Sequence, residues 1–309
     1  MATTNNREIW LPEFQRKLYE IKRFYTGAKS DGALAENYKT INIPQSLGLT
    51  ATTVFTDASG EFPITPIEAE TDILAYDLGM SYLTPNFMNP LDKTEFSFDF
   101  MKQNLQEGLD HLSADIEKAI GYAWTADGSS DIKLTTGSAR TNKFANASAK
   151  AITYVDIIGL GKVLDLQNVP DNGRRLLVGS SAFADLLTIQ SASGLNLFRP
   201  TYDALVKGKV GEILGFDVYK TNYTASFNVG GSKKAVDASD LATDVETTVA
   251  YHPSFVRYAI SRVFSNTIKG GAYLSEDDIT VAWVRYGASP SRKAISNTTT
   301  GIVTLKEAV

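Results

Sequence analysis

The chain has 309 residues, 43% of them hydrophobic and 21% charged, enough to build one large domain or two with sizeable cores. It has no cysteine, which excludes disulfides, thiolate nucleophiles and sulfur-ligated metals. A net charge of −5 argues against an extended clamp on nucleic acid, so any meeting with DNA is as a wall.

No apolar run approaches the roughly 18 residues needed to span a bilayer. The opening MATTNNREIW lacks the basic-then-apolar order of a secretory signal. The expectation is a soluble protein made in the cytoplasm. Charge is unevenly spread. Residues 1–29 carry six bases (Arg7, Arg16, Lys17, Lys22, Arg23, Lys29) against three acids. Residues 40–92 carry seven acids (Asp57, Glu61, Glu68, Glu70, Asp72, Asp77, Asp92) and no Lys or Arg. One reading is a solvated acidic surface. The other is a basic arm and an acidic loop from different subunits that meet and set register.

In chain order, Glu8 to Tyr25 reads as an amphipathic helix with Ile9, Phe14, Leu18, Ile21 and Tyr25 near one stripe, starting near Leu11 because Pro12 fits the first turn. Gly27 to Tyr38 is poor in large apolar residues and reads as a linker. Lys39 to Pro44 and Thr50 to Thr56 read as strands, Asp57–Gly60 as a turn, and Ile64 to Met80 as a second extended stretch. Together they predict a long two-stranded excursion that wants a surface to lie on. From Phe98 to Trp124 apolar residues recur at steps of three and four, with Gln103, Gln106, Asp110, Ser113 and Glu117 opposite. That predicts a rod about 40 Å long. The weakly hydrophobic stretch from Ala126 to Lys150 reads as an exposed loop.

Thr153 to Gln167 reads as a helix, Asn168–Gly173 as a turn and Arg174 to Val178 as a buried strand. A helix capped by Ser180 or Ser181 then runs to Thr188. This order marks an α/β layer. Gly211 to Asn222 (GEILGFDVYKTN) reads as two short strands hinged at Gly215. Asn228 to Asp244 is polar and reads as a mobile loop. Thr247–Tyr251, Arg257–Phe264, Ile279–Tyr286 and Ile302–Leu305 read as strands.

Candidate chemistry is sparse. His111 and His252 are the only histidines and read as packing or capping groups. Gly159-Leu-Gly161 lacks the third glycine of a dinucleotide loop and reads as close packing within a helix. Gly179-Ser-Ser181 lacks the second glycine of a nucleophile elbow. Glu276-Asp277-Asp278 reads as an acidic turn, with a hard-cation site as its rival. No phosphate-binding loop occurs, and the sequons at Asn146 and Asn222 have no secretory context.

The joint order resembles the HK97-type major capsid proteins of tailed double-stranded DNA phages. The likeness is carried by the helix from Phe98, VPDNGRRLLVGSSAFADLL (Val169–Leu187), GEILGFDVYKTN, VAYHPSFVRYAISR (Val249–Arg262) and VAWVRYGASPSRKAI (Val281–Ile295). It implies an α+β, HK97-like fold. Residues 1–38 would be an N-terminal arm, and 39–92 an extended β-hairpin loop with its flanking strands. Residues 93–150 would be the peripheral domain with its long spine helix, 151–270 an axial α/β domain, and 271–309 strands returning to the peripheral domain.

The implied function is a structural subunit of an icosahedral shell around packaged DNA, in pentamers and hexamers. It would have no catalysis and no cofactor or metal. Its partners would be a portal, a separate or cleaved scaffold, DNA held non-specifically and, where non-covalent contacts do not suffice, a cement or decoration protein. It would be found in the virion after assembly in the host cytoplasm. Expected inter-subunit contacts are Arg16, Lys17, Lys22 and Arg23 on the arm, Asp57, Glu61, Glu68 and Glu70 on the loop, and Gly215 and Phe216 on the hinge hairpin. There is no lysine between Lys39 and Lys93, so the loop isopeptide cross-link of some family members is not expected. Deleting residues 1–29 is expected to leave the core folded and block closed shells. The rival readings are an encapsulin-like compartment shell and a two-domain α/β enzyme or ligand-binding protein.

Overall fold

The computed structural model describes residues 24–46, 71–82, 98–128, 130–190, 194, 196–200, 209–236, 238–268, 279–292 and 300–309. The strands expected at 50–56, the turn at 57–60, the arm helix up to residue 23 and the acidic triplet at 276–278 lie outside these residues.

Three sheets organise the described chain. In the seven-stranded one, β5 (Ile132–Leu134), β14 (Ile302–Lys306), β10 (Thr247–Tyr251), β6 (Arg175–Val178), β9 (Phe216–Lys220), β8 (Lys209–Ile213) and β7 (Arg199–Pro200) lie in that order. The β5–β14 and β6–β9 pairs are parallel and the rest antiparallel. The five-stranded sheet runs β1 (Lys29–Ser30), β11 (Val256–Ile260), β13 (Ile279–Pro290), β12 (Phe264–Ile268), with β4 (Gly79–Tyr82) also on β13. The third is a two-stranded ribbon of β2 (Thr40–Ser46) and β3 (Thr71–Asp77).

Alternation along the central strands decides the layering. Leu176, Val178, Phe216, Val218, Ala250, Val303 and Leu305 point to one face and pack under α3 (Tyr154–Leu166) and α4 (Ser180–Thr188). Leu177, Tyr219, Val249, Tyr251 and Ile302 point to the other, against α2 (Phe98–Trp124) and the five-stranded sheet. Each fully buried aliphatic side chain contributes about 1.5–3 kcal/mol. With both faces covered, strand β10 is buried at every position.

Helix α2 has the predicted bounds, 27 residues. Leu112, Ile116, Ile120 and Trp124, four residues apart, form its buried stripe. Ser113 and Glu117, expected on the solvent side, are buried too. The helix lies between two sheets, so its covered arc is wider than an amphipathic pattern implies. At Gly121 an added Cβ would collide with the carbonyl oxygen of Tyr223, so a glycine is required there. Helix α3 starts with a capping box: the Thr153 side chain accepts from the Asp156 amide while Asp156 Oδ2 accepts from the Thr153 amide at 2.8 Å. Helix α4 differs from expectation, because Gly179, not a serine, occupies its N-cap without a side-chain bond.

Four further expectations are corrected. The linker at 27–38 is docked: β1 pairs parallel with β11, α1 (Gly32–Ala35) follows, and Phe24 and Tyr25 are inside the core. The stretch 126–150 holds the short strand β5 and is tied down, with Asn142, Phe144, Asn146 and Ala149 buried. The polar segment after Asn228 is also held, since Phe227 bridges both Lys233 and Val245, and Lys234 pairs with Asp244. The strand expected from Arg257 to Phe264 is two strands, broken where the Ser261 amide donates to the Arg285 carbonyl at 2.8 Å. Strands β11 and β12 join the five-stranded sheet, whereas β5 and β14 join the seven-stranded one.

Candidate functional site and assembly surfaces

Several titratable groups of the interior join distant segments of the chain. Arg140 reaches Asp185 and Glu307, each at 2.7 Å, and the Asn142 amide donates to Glu307 at 2.6 Å. This network ties the 130–150 stretch to α4 and to the last residues of the chain. Glu246 is buried beside Gly179 at the start of α4, and its burial raises its carboxyl pKa. Arg174 donates to Asp165 at 2.7 Å and to the Val169 and Pro170 carbonyls, fixing the 168–173 turn. Lys233 donates to the Thr125 carbonyl at 2.6 Å beyond the end of α2 and lies 4.0 Å over the Tyr122 ring. Burial lowers its pKa to about 8, against a smaller opposing effect of Asp127.

A second set anchors the entry of the N-terminal segment. Tyr251 Oη donates to the Phe24 carbonyl at 2.7 Å, and Arg175 donates to the same carbonyl at 2.9 Å. The Phe24 ring meets Trp124 edge-on at 5.8 Å. Asp31 accepts two bonds from Arg257 at 2.9 Å and one from Tyr76 Oη at 2.7 Å, joining β1, β11 and the ribbon. Burial and this acceptor raise the Tyr76 pKa.

The candidate chemical residues are dispersed. His252 caps a short 3-10 turn by accepting from the Ser254 amide, and its Nε2 lies 3.0 Å from the Asn172 carbonyl. His111 is on the exposed side of α2. Among the described residues, no group of three or more His, Asp or Glu is placed to hold a metal ion, and no helix is long and apolar enough to cross a membrane. A groove of about 340 Å³ is lined by Lys118, Tyr122, Lys143, Asn222, Lys234 and Asp240, and in it Ser226 Oγ donates to Asp240 at 3.3 Å.

The surface features are more specific. Arg16, Lys17, Lys22, Arg23, Asp57, Glu61, Glu68 and Glu70 all lie outside the described residues. Phe216 is 2% exposed and belongs to the chain's own core, so of the two hairpin residues only Gly215 is open to a partner. The turn is a two-residue connection with positive φ at both Leu214 (45°) and Gly215 (84°). Such a turn favours Asn-Gly, and a left-handed leucine costs roughly 1–2 kcal/mol. Leu214 is nonetheless there, 44% exposed. Nothing in the composition marked it, because only the glycine carries an obvious turn signal. Helix α3 is also apolar on its outer side: Val155 and Ile158 are each 53% exposed and Leu166 74%.

No family model matches the chain, and no curated protein is similar to it in sequence. Solved structures are similar along almost its whole length. The capsid of Ralstonia phage GP4 superposes with a TM-score of 0.62 at 8% identity, covering 92% of this chain and 87% of the other. A subunit of the mature capsid of bacteriophage PhiM1 gives 0.59 at 13% identity, covering 92% and 86%. The capsid of a native GTA particle gives 0.59 at 12% identity, covering 94% and 91%. The chain has the fold of a phage capsid subunit. At these identities the likeness resides in the arrangement of helices and sheets.

Proposed function

We propose that this chain is a major capsid protein, a structural subunit that self-assembles into an icosahedral shell around double-stranded DNA. The observation that carries the reading is near end-to-end similarity to capsid subunits of several phages. It is supported by ion pairs that join distant segments within the chain, Arg140 with Asp185 and Glu307 and Asp31 with Arg257. No catalytic step is assigned to it.

In HK97 terms, the seven-stranded sheet with α3 and α4 is the axial unit. The long helix with the five-stranded sheet is the peripheral unit. The β2–β3 ribbon is the root of the extended loop, whose acidic stretch meets the basic arm of another subunit. Pentamers and hexamers of the chain would close the shell with a portal. A separate or cleaved scaffold would guide assembly, with a cement protein where non-covalent contacts need support. The particle would form in the host cytoplasm and persist as the virion.

The test is the content and linkage of purified particles. Nuclease-resistant double-stranded DNA inside them is expected, together with a single monomer band on a denaturing gel. Particles filled with protein cargo and free of nucleic acid would favour a compartment shell instead. A ladder of covalent oligomers would refute the absence of isopeptide links.

A further inference from the structure

Two local costs in this chain have no explanation within one subunit. Leu214 holds a left-handed conformation and exposes its side chain, where Asn or Gly would relieve the backbone and hide nothing apolar. Gly159 sits in the middle of α3, where glycine weakens a helix, yet a Cβ added there would meet nothing within 4 Å. The closeness of another backbone, which explains Gly121, is therefore absent at Gly159. Around it the outer face of α3 presents Val155 one turn before, Lys162 nearly one turn after, then Leu166, all exposed. A helix apolar on both faces is normally covered on both. One feature is a knob, and the other is a dent in an apolar stripe.

We propose that the Leu214–Gly215 turn of one copy of this chain seats in the dent at Gly159 on α3 of a neighbouring copy. The two patches differ, so the contact is heterologous, the kind that closes copies into a ring by rotation. Charge fits the same docking. Lys162 has no ion-pair partner among the described residues, and Glu212, two residues before the knob, has a carboxylate 55% exposed beyond its bond to Lys209. The hairpin is stiff enough to present a knob, since β8 and β9 are paired to each other and β9 to β6. The proposal rests on the shell reading given above.

The absence of native cysteine makes the contact directly testable. The full chain with Leu214→Cys and Val155→Cys together is assembled, checked for particles by electron microscopy, oxidised and run on a non-reducing denaturing gel. A ladder of linked subunits is expected, absent from either single variant. Particles whose subunits stay monomeric on that gel overturn the contact and leave the shell reading intact. A wild-type chain that forms no particles with a scaffold co-expressed overturns the shell reading and this contact with it. Two further variants separate assembly from folding. Leu214→Asn and Gly159→Leu each remove a local cost, so both are expected to raise the unfolding midpoint of the unassembled subunit while lowering particle yield at least tenfold. Wild-type yield from both refutes the proposal.

Discussion

The seven-stranded sheet and the β2–β3 ribbon are built from the same kind of alternating strands, and they end in opposite conditions. In the sheet both faces are covered by the chain itself, with α3 and α4 on one side and α2 on the other. Among the described residues one face of the ribbon is covered: Ile41, Tyr76 and Leu78 pack with Ala35 and Ala259 and Leu74 is buried, while Ile73 on the other face is 57% exposed. A two-stranded ribbon is marginal alone in water. One region is therefore finished by folding, and the other is finished by whatever it lies on. The Asp31–Arg257–Tyr76 cluster is the joint between them.

The largest way to break the contrast is truncation within the finished region. Removing residues 1–23 leaves Phe24 and Tyr25 in place, and the subunit is expected to keep its denaturation midpoint while losing closed shells. Removing 1–29 also takes Phe24 out of the core, and loss of one buried Phe costs roughly 3–5 kcal/mol. Equal midpoints for the two truncations would contradict the anchoring. This replaces the expectation that residues 1–29 are all dispensable for folding.

Next in size is Asp31→Ala, which strands Arg257 without its bidentate partner and is expected to cost about 3 kcal/mol. Hydrogen exchange should rise in β2 and β3 while β6 and β10 keep their protection. Uniform loss across both sheets would mean the regions are not separable.

Glu246 probes the finished region through pH. Its raised pKa means the folded state keeps a proton that the unfolded chain has released, so stability is full below the ordinary carboxylate range and falls as pH rises through the folded pKa. The slope reaches about 1.4 kcal/mol per pH unit at most. Glu246→Gln should flatten it in denaturation curves taken from pH 4 upward; an unchanged slope would assign it elsewhere. The smallest effect is Tyr76→Phe, about 1 kcal/mol for one hydrogen bond, read as a shift in ribbon exchange alone.

Periodicity made α2, α3 and most strands legible, because burial on one face leaves a repeat in the sequence. Pairing partners were not legible. Nothing local tells that Lys29–Ser30 pairs with Arg257–Tyr258 across more than 200 residues, or that the last strand enters between β5 and β10. The stretch 130–150 misled through composition, since its polar groups are buried against one another: Asn142, Arg140 and Glu307 satisfy needs that a reading by hydropathy assigns to water. At the hairpin the glycine pointed to the right turn, and the proposed contact rests on the residue before it. Leu214 is informative only once its φ and exposure are known together.

Electron microscopy of the purified full-length chain tests the central claim most directly. Closed isometric shells of uniform diameter are the expected result. A preparation that holds only folded monomers or small oligomers, with a scaffold co-expressed, would contradict the account.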